Sequence, residues 1–157
     1  MGPKEKIERL AQTPEDRVLL ARVWERLSAG QRREIPAFSC FLSLREQELV
    51  RRLKNHGYSV YYLSNIPEDV LALLKERGVL DRFDGGVASC EVHINKPDPR
   101  IYQALLDKYH LRADECIFID DRADNLVAAS ALGFGIYEMH NVGTLLRSLP
   151  TFGVSLH

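Results

Sequence analysis

Cys116-Ile117-Phe118-Ile119-Asp120-Asp121 is the stretch that decides the fold: an apolar run of strand length that stops on two adjacent carboxylates. Such a run, with no alternating polar face, suits a strand covered on both sides, as in a parallel sheet. A helix over Asn125–Ala131 follows, then Gly133 and a second short strand over Gly135–Glu138. The same unit precedes it. Tyr58–Ser64 reads as a strand, Pro67–Arg77 as a helix with Gly78 beyond it, Gly86–Ser89 as a short strand and Pro99–Tyr109 as a helix. Strands alternating with helices of this length predict an α/β fold with right-handed crossovers.

Further toward the N-terminus, Ser43 can cap a helix through Leu44, Leu49, Val50 and Leu53 that ends near Asn55-His56-Gly57. Two more helices are predicted over residues 4–11 and 14–29, the second opened by Thr13, Pro14 and Asp16 and closed by Gly30. The 157 residues are 45% hydrophobic and 27% charged, the composition of one ordinary globular domain. Lys and Arg total 21 against 22 Asp and Glu, a net charge of -1 that argues against a nucleic-acid footprint. No apolar run is long enough to cross a bilayer, and the first residues lack the apolar core of an export signal, so no membrane and a cytoplasmic setting are expected. Cys40, Cys90 and Cys116 form neither a disulfide framework nor a zinc motif; they are read as reduced, with Cys116 buried in its strand. His56, His93, His110 and His140 have no ligand-like spacing and are read as surface or loop residues.

Ligands of open parallel sheets sit at the carboxyl ends of the strands, so the residues where strands stop carry the information. One strand stops at Leu63-Ser64-Asn65, another at Ile119-Asp120-Asp121, and Asn95-Lys96-Pro97-Asp98 lies between them before a helix. Two neighbouring carboxylates at the end of an apolar strand need a cation or a shared proton to offset their repulsion. Magnesium, which takes a few carboxylates, waters and a phosphate, fits Asp120 and Asp121. Lys96 is a donor for a phosphoryl oxygen, and the Ser64 hydroxyl with the following amide is a donor pair for an anion. Each also has a plainer reading: a solvated Asp-Asp turn, a surface lysine, and a serine capping the helix after it.

Taken in order, Leu63-Ser64-Asn65, Lys96-Pro97-Asp98-Pro99-Arg100-Ile101-Tyr102, and Phe118-Ile119-Asp120-Asp121 followed by Asn125, Ala129 and Gly133 resemble motifs two, three and four of the haloacid-dehalogenase-like hydrolases. The resemblance runs from about Phe41 to Gly153. It implies a Rossmann-like, three-layer α/β/α parallel sheet and magnesium-assisted hydrolysis of a phosphate ester through an aspartyl-phosphate, or less often dehalogenation. Ser64 resembles the phosphoryl-binding hydroxyl, with Asn65 beside it, and Lys96 the motif-three lysine. Asp121 resembles the principal metal ligand with Asp120 as a second. Asn125 falls where it would orient water or Asp121, and Asp124 is read as a solvated turn residue.

The nucleophile of that family lies in an Asp-x-Asp at the end of an apolar strand, and no such element occurs in these 157 residues. Phe83-Asp84-Gly85-Gly86 has no strand before it. In the resembled fold the missing strand is central, between those ending at Ser64 and Asp120, so either these two pair directly or something else fills the gap. Residues 1–35 are read as a partial helical cap and 36–157 as the α/β core, as in a natural truncation, a misplaced start, or one half of a split protein. The expectation is an enzyme by ancestry that acts on a small phosphorylated metabolite, inactive or very weak alone, with weakened magnesium binding. The alternative is a non-catalytic binding or self-association module, or one half of a split enzyme completed by another chain; the sheet edges left for self-association predict a homodimer.

Overall fold

The computed structural model describes residues 44–76 and 78–156. The helices predicted over 4–11 and 14–29, the cap-like segment 1–35, the capping Ser43 and Cys40 lie outside the described residues.

Helix α1 (Leu44–Asn55) leads to strand β1 (Tyr61–Ser64) and helix α2 (Glu68–Glu76). Strand β2 (Gly85–Ala88), the short helix α3 (Ser89–Val92) and helix α4 (Pro99–Tyr109) follow. Strand β3 (Ile117–Asp120), helix α5 (Ala123–Ala131), strand β4 (Gly135–Glu138) and helix α6 (Val142–Ser148) complete the order. Strand β1 pairs in parallel with β2, Tyr61 opposite Gly85 and Ser64 opposite Ala88. Strand β3 pairs in parallel with β4, Ile117 opposite Gly135 and Asp120 opposite Glu138.

One core runs beneath both pairs. Leu63 and Val87 from the first pair and Phe118 from the second pack on Ile101, Tyr102, Leu105 and Leu106 of α4 and on Leu126 and Ala129 of α5. Each large apolar side chain buried there contributes roughly 1.5–3 kcal/mol. On the other face Leu49 of α1, Val142 and Leu145 of α6 and Leu149 form a second cluster that takes in Tyr137. Tyr137 is the register partner of Ile119, whose side chain points opposite to that of Phe118, so helices cover two faces of a Rossmann-like α/β layer.

Among the described residues no strand lies between β1 and β3, and the two do not pair. A cavity of about 730 Å³ is lined by residues of both strands, Tyr61–Ser64 and Ile117–Asp120 among them. Of the two outcomes expected for a sheet without its central strand, direct pairing is therefore not the one adopted.

Local physics explains where elements differ from their predicted bounds. The β-rich Tyr58-Ser59-Val60 was expected to open β1, yet the strand starts at Tyr61. The Val60 amide donates to the Asp84 carboxylate at 2.8 Å, and the Asp84 amide donates to the Val60 carbonyl at 2.8 Å, so a loop takes the groups a ladder would use. Ser89 leaves β2 to start α3, and its hydroxyl accepts from the Ile66 amide at 3.0 Å. Cys116 precedes β3 rather than lying within it and is only half-buried, a correction to its expected place, because the turn at Ala113 takes its amide. Helix α6 was not anticipated at all; Asn141 caps it by accepting from the Thr144 amide at 2.8 Å. Gly86 is required by contact: a Cβ there would lie 2.3 Å from the Tyr62 ring.

Candidate functional site

The site is built from three chain segments that meet where β1 and β3 end. Asp98 caps α4 by accepting from the Arg100 amide at 3.0 Å, with Pro99 opening the helix, and this fixes the loop that carries Lys96. The Arg100 guanidinium, followed by its amide, holds the Asp98 carboxyl down at about 2. The Lys96 side chain runs inward and is 3% exposed, as is that of Asp120. Its ammonium donates to Asp120 Oδ2 at 2.8 Å and stands 5.6 Å above the centre of the Phe118 ring.

Asp120 is held from three directions. Besides Lys96, the Asn125 amide Nδ2 donates to the same oxygen at 3.2 Å, and the Arg122 backbone N–H donates to Oδ1 at 2.9 Å. Burial pushes this carboxyl up, but the charge and hydrogen bond of the Lys96 ammonium, with the Arg122 amide, outweigh it and hold Asp120 below its ordinary range. Asp121 goes the other way. Burial, then its hydrogen bond to Asp120 and that neighbour's charge, raise its carboxyl, so the surroundings shift the two acids in opposite directions.

Asn125 is 1% exposed, and its carbonyl accepts from the Tyr102 hydroxyl at 2.9 Å, so α4 anchors the residue that anchors Asp120. Asn65 bridges to the Lys96 backbone: Oδ1 accepts from the Lys96 N–H at 2.8 Å and Nδ2 donates to the Lys96 carbonyl at 3.1 Å. Ser64, 3% exposed, ends β1 and lines the cavity together with Lys96, Asp120 and Asp121. Four of the predicted residues, Asn65, Lys96, Asp120 and Asn125, are joined to one another by hydrogen bonds, and the other two, Ser64 and Asp121, line the same cavity. Asp124 is exposed and pairs with Arg122 at 3.2 Å, in keeping with its reading as a solvated residue, although it lies in the first turn of α5. Tyr102 was missed as a supporting residue; its place in the Lys96–Tyr102 motif was the available signal.

Among the described residues no three His, Cys, Asp or Glu side chains gather as a complete metal-ligand set. The donors present are carboxylate oxygens from Asp120 and Asp121, both of which line the cavity. That donor chemistry fits magnesium, which keeps several waters and shares a substrate phosphate, better than a softer metal needing a nitrogen or sulfur cage.

Comparison with known proteins gives a consistent answer. A sesquiterpene phosphatase of Aspergillus oryzae is 36% identical over 105 residues, which are 66% of this chain and 54% of that protein. An (S)-2-haloacid dehalogenase of Burkholderia cepacia is 33% identical over 97 residues, 61% of this chain and 42% of that protein. The chain therefore spans about half the length of these relatives. Among solved structures, a HAD-like hydrolase of Porphyromonas gingivalis superposes with a TM-score of 0.62 at 24% identity, covering 94% of this chain and 78% of that one. A HAD family enzyme of Bacteroides thetaiotaomicron, solved with magnesium and inorganic phosphate, gives 0.61 at 22% identity, covering 91% and 78%. These two likenesses concern the fold. The family profile described as haloacid dehalogenase-like hydrolase matches residues 31–133, well over half of the sequence, and on that match the chain belongs to the haloacid dehalogenase-like hydrolases.

Proposed function

We propose that this chain holds the phosphate- and metal-binding end of a magnesium-dependent phosphohydrolase and, by itself, hydrolyses phosphomonoesters very weakly or not at all. The observation that carries the reading is the buried Lys96–Asp120 pair at the wall of the cavity, tied to β1 through Asn65 and to α4 through Asn125. A lysine and a carboxylate kept this dry in fixed geometry suit a site that holds a charged group, because a water-excluded ammonium acts more strongly on an anion than a solvated one.

Lys96 would donate to a phosphoryl oxygen without leaving Asp120, since an ammonium has three protons and one is engaged there. Ser64 would donate its hydroxyl from the end of β1. Asp121, with Asp120, would hold magnesium, and Asn125 would keep Asp120 oriented. Bound magnesium would neutralise charge on the phosphoryl oxygens. A small phosphorylated metabolite is the proposed ligand. No Asp-x-Asp occurs in the chain, so no carboxylate of that motif is present to attack phosphorus and divide the reaction into two easier steps. In an assay with a generic phosphomonoester and magnesium, turnover should fall at least about 1000-fold below an ordinary kcat of about 10 per second. Ordinary turnover that Asp121→Ala abolishes would overturn the proposed inactivity.

The slot between β1 and β3 favours a second reading: completion of the sheet by another chain, as a self-associating module or as half of a split enzyme. Each strand has an edge without a strand partner among the described residues, and such edges template pairing. A homodimer by light scattering is expected, and a strict monomer at high concentration would remove the self-association reading. Cys90 and Cys116 are free thiols that burial pushes up, and a cytoplasmic setting is proposed for the chain.

A further inference from the structure

Lys96 is pinned at both ends. At the tip its ammonium donates to Asp120 Oδ2 at 2.8 Å; at the root its own N–H and C=O are both taken by one side chain, Asn65, at 2.8 and 3.1 Å. The two residues are 31 apart in sequence, so this is a tertiary clamp rather than a turn. A single hydrogen bond to a loop leaves it free to pivot, whereas two bonds from a planar carboxamide, one to the N–H and one to the C=O of the same residue, fix both its position and its rotation.

We infer that Asn65 is a positioning residue for Lys96: its carboxamide sets where the ammonium sits and does not itself touch the phosphoryl group. Three features support this. Asn65 does not line the cavity, whereas its neighbour Ser64 and its partner Lys96 both do. One donor and one acceptor of its carboxamide are already directed at the Lys96 backbone. Lysine is also the residue that most needs such help, because its charge rides on a flexible four-carbon stem that loses rotamer freedom when held in one place. Fixing the root of the stem lowers that loss before any ligand arrives, which is preorganisation in the ordinary sense. The role of Asn65 for a phosphoryl ligand rests on the function proposed above for Lys96, but the clamp can be tested without turnover.

The test is ¹⁵N NMR of the lysine ammonium groups in the full chain. An ammonium that is buried and hydrogen-bonded exchanges its protons slowly enough to give a correlation, which solvated lysines do not, and Lys96→Met identifies the Lys96 signal by its loss. Asn65→Ala is expected to speed exchange at Lys96 at least about tenfold or to erase the signal, since two hydrogen bonds that restrain the loop are removed. Asp84→Ala is the control, because it removes a carboxylate that accepts from the Val60 amide ahead of β1, at the end of the strand away from Ser64, and it should leave the Lys96 signal in place. An unchanged Lys96 signal in Asn65→Ala overturns the positioning role, as does equal loss in Asp84→Ala, which would mean that general loosening suffices. A missing Lys96 signal in the unaltered chain would instead contradict the buried ion pair and, with it, the function proposed for Lys96.

Discussion

Replacing Lys96 by methionine is expected to destabilise the chain by about 3–5 kcal/mol at neutral pH, read from urea unfolding, because it strands the Asp120 carboxylate in a site that excludes water. The side chains of both partners are 3% exposed, so solvent cannot replace the lost ammonium. The loss should depend on pH with a defined sign. The folded-state carboxyl of Asp120 lies below its ordinary value of 3.8, so its contribution to stability is present above that value and fades as the pH falls through the lowered one. Without Lys96 the Arg122 amide still favours the ionised form, but the ammonium no longer offsets burial, so the carboxyl lies higher than in the unaltered chain and the penalty belongs to the ionised form. The gap between the unaltered chain and Lys96→Met should therefore be widest near neutrality and narrow on acidification toward 3.8. Adding Asp120→Asn to Lys96→Met should recover at least half of the loss, since no buried charge then remains. A cost under about 1 kcal/mol at neutral pH would place the pair among solvent-screened surface bridges.

Tyr102→Ala should cost a comparable amount, about 3–5 kcal/mol, for a different reason. Tyr102 is fully buried, and its ring meets those of Phe118 and Phe134 edge-on at centroid distances of 5.2 and 6.2 Å. Truncation leaves a cavity that its neighbours, each fixed by its own helix or strand, fill only in part. Tyr102→Phe keeps the ring and removes only the hydroxyl that donates to the Asn125 carbonyl at 2.9 Å, so it should cost about 1 kcal/mol. Denaturant curves for the two variants separate packing from the polar anchor, and equal losses would show that the hydrogen bond, not the ring, carries the effect. Because Asn125 in turn holds Asp120, Tyr102 links the hydrophobic core to the chemistry at the rim.

Much of this could be read from the sequence where signals are local. Helix α4 and strand β4 appear at the bounds their composition predicts, because Pro99 opens one and Gly133 with Gly135 brackets the other. The carboxyl ends of β1 and β3 were recognisable because apolar runs stop abruptly on polar residues. Elements set by distant partners were not legible. The first residues of the expected β1 strand were lost to a bond with Asp84, 24 residues away, and nothing near Val60 signals it. Helix α6 was hidden by Gly143, which weakens the helical pattern after a good cap at Asn141. At the site the residue types and their order suggested a common rim, but the division of labour between the two aspartates came only from their surroundings: Lys96 and a backbone amide on Asp120, burial beside a charge for Asp121. The bridge from Asn65 to Lys96 spans too many residues for any spacing rule.

The most direct test of the central claim, that Ser64, Lys96 and the Asp120–Asp121 pair form one phosphate- and metal-binding rim, is a crystal structure of the full chain grown with magnesium and inorganic phosphate. The expected result is magnesium against Asp121 with phosphate oxygens within hydrogen-bonding distance of Ser64 Oγ and Lys96 Nζ. Phosphate bound elsewhere, or a rim that stays empty at saturating magnesium and phosphate with Lys96 still on Asp120, would contradict it.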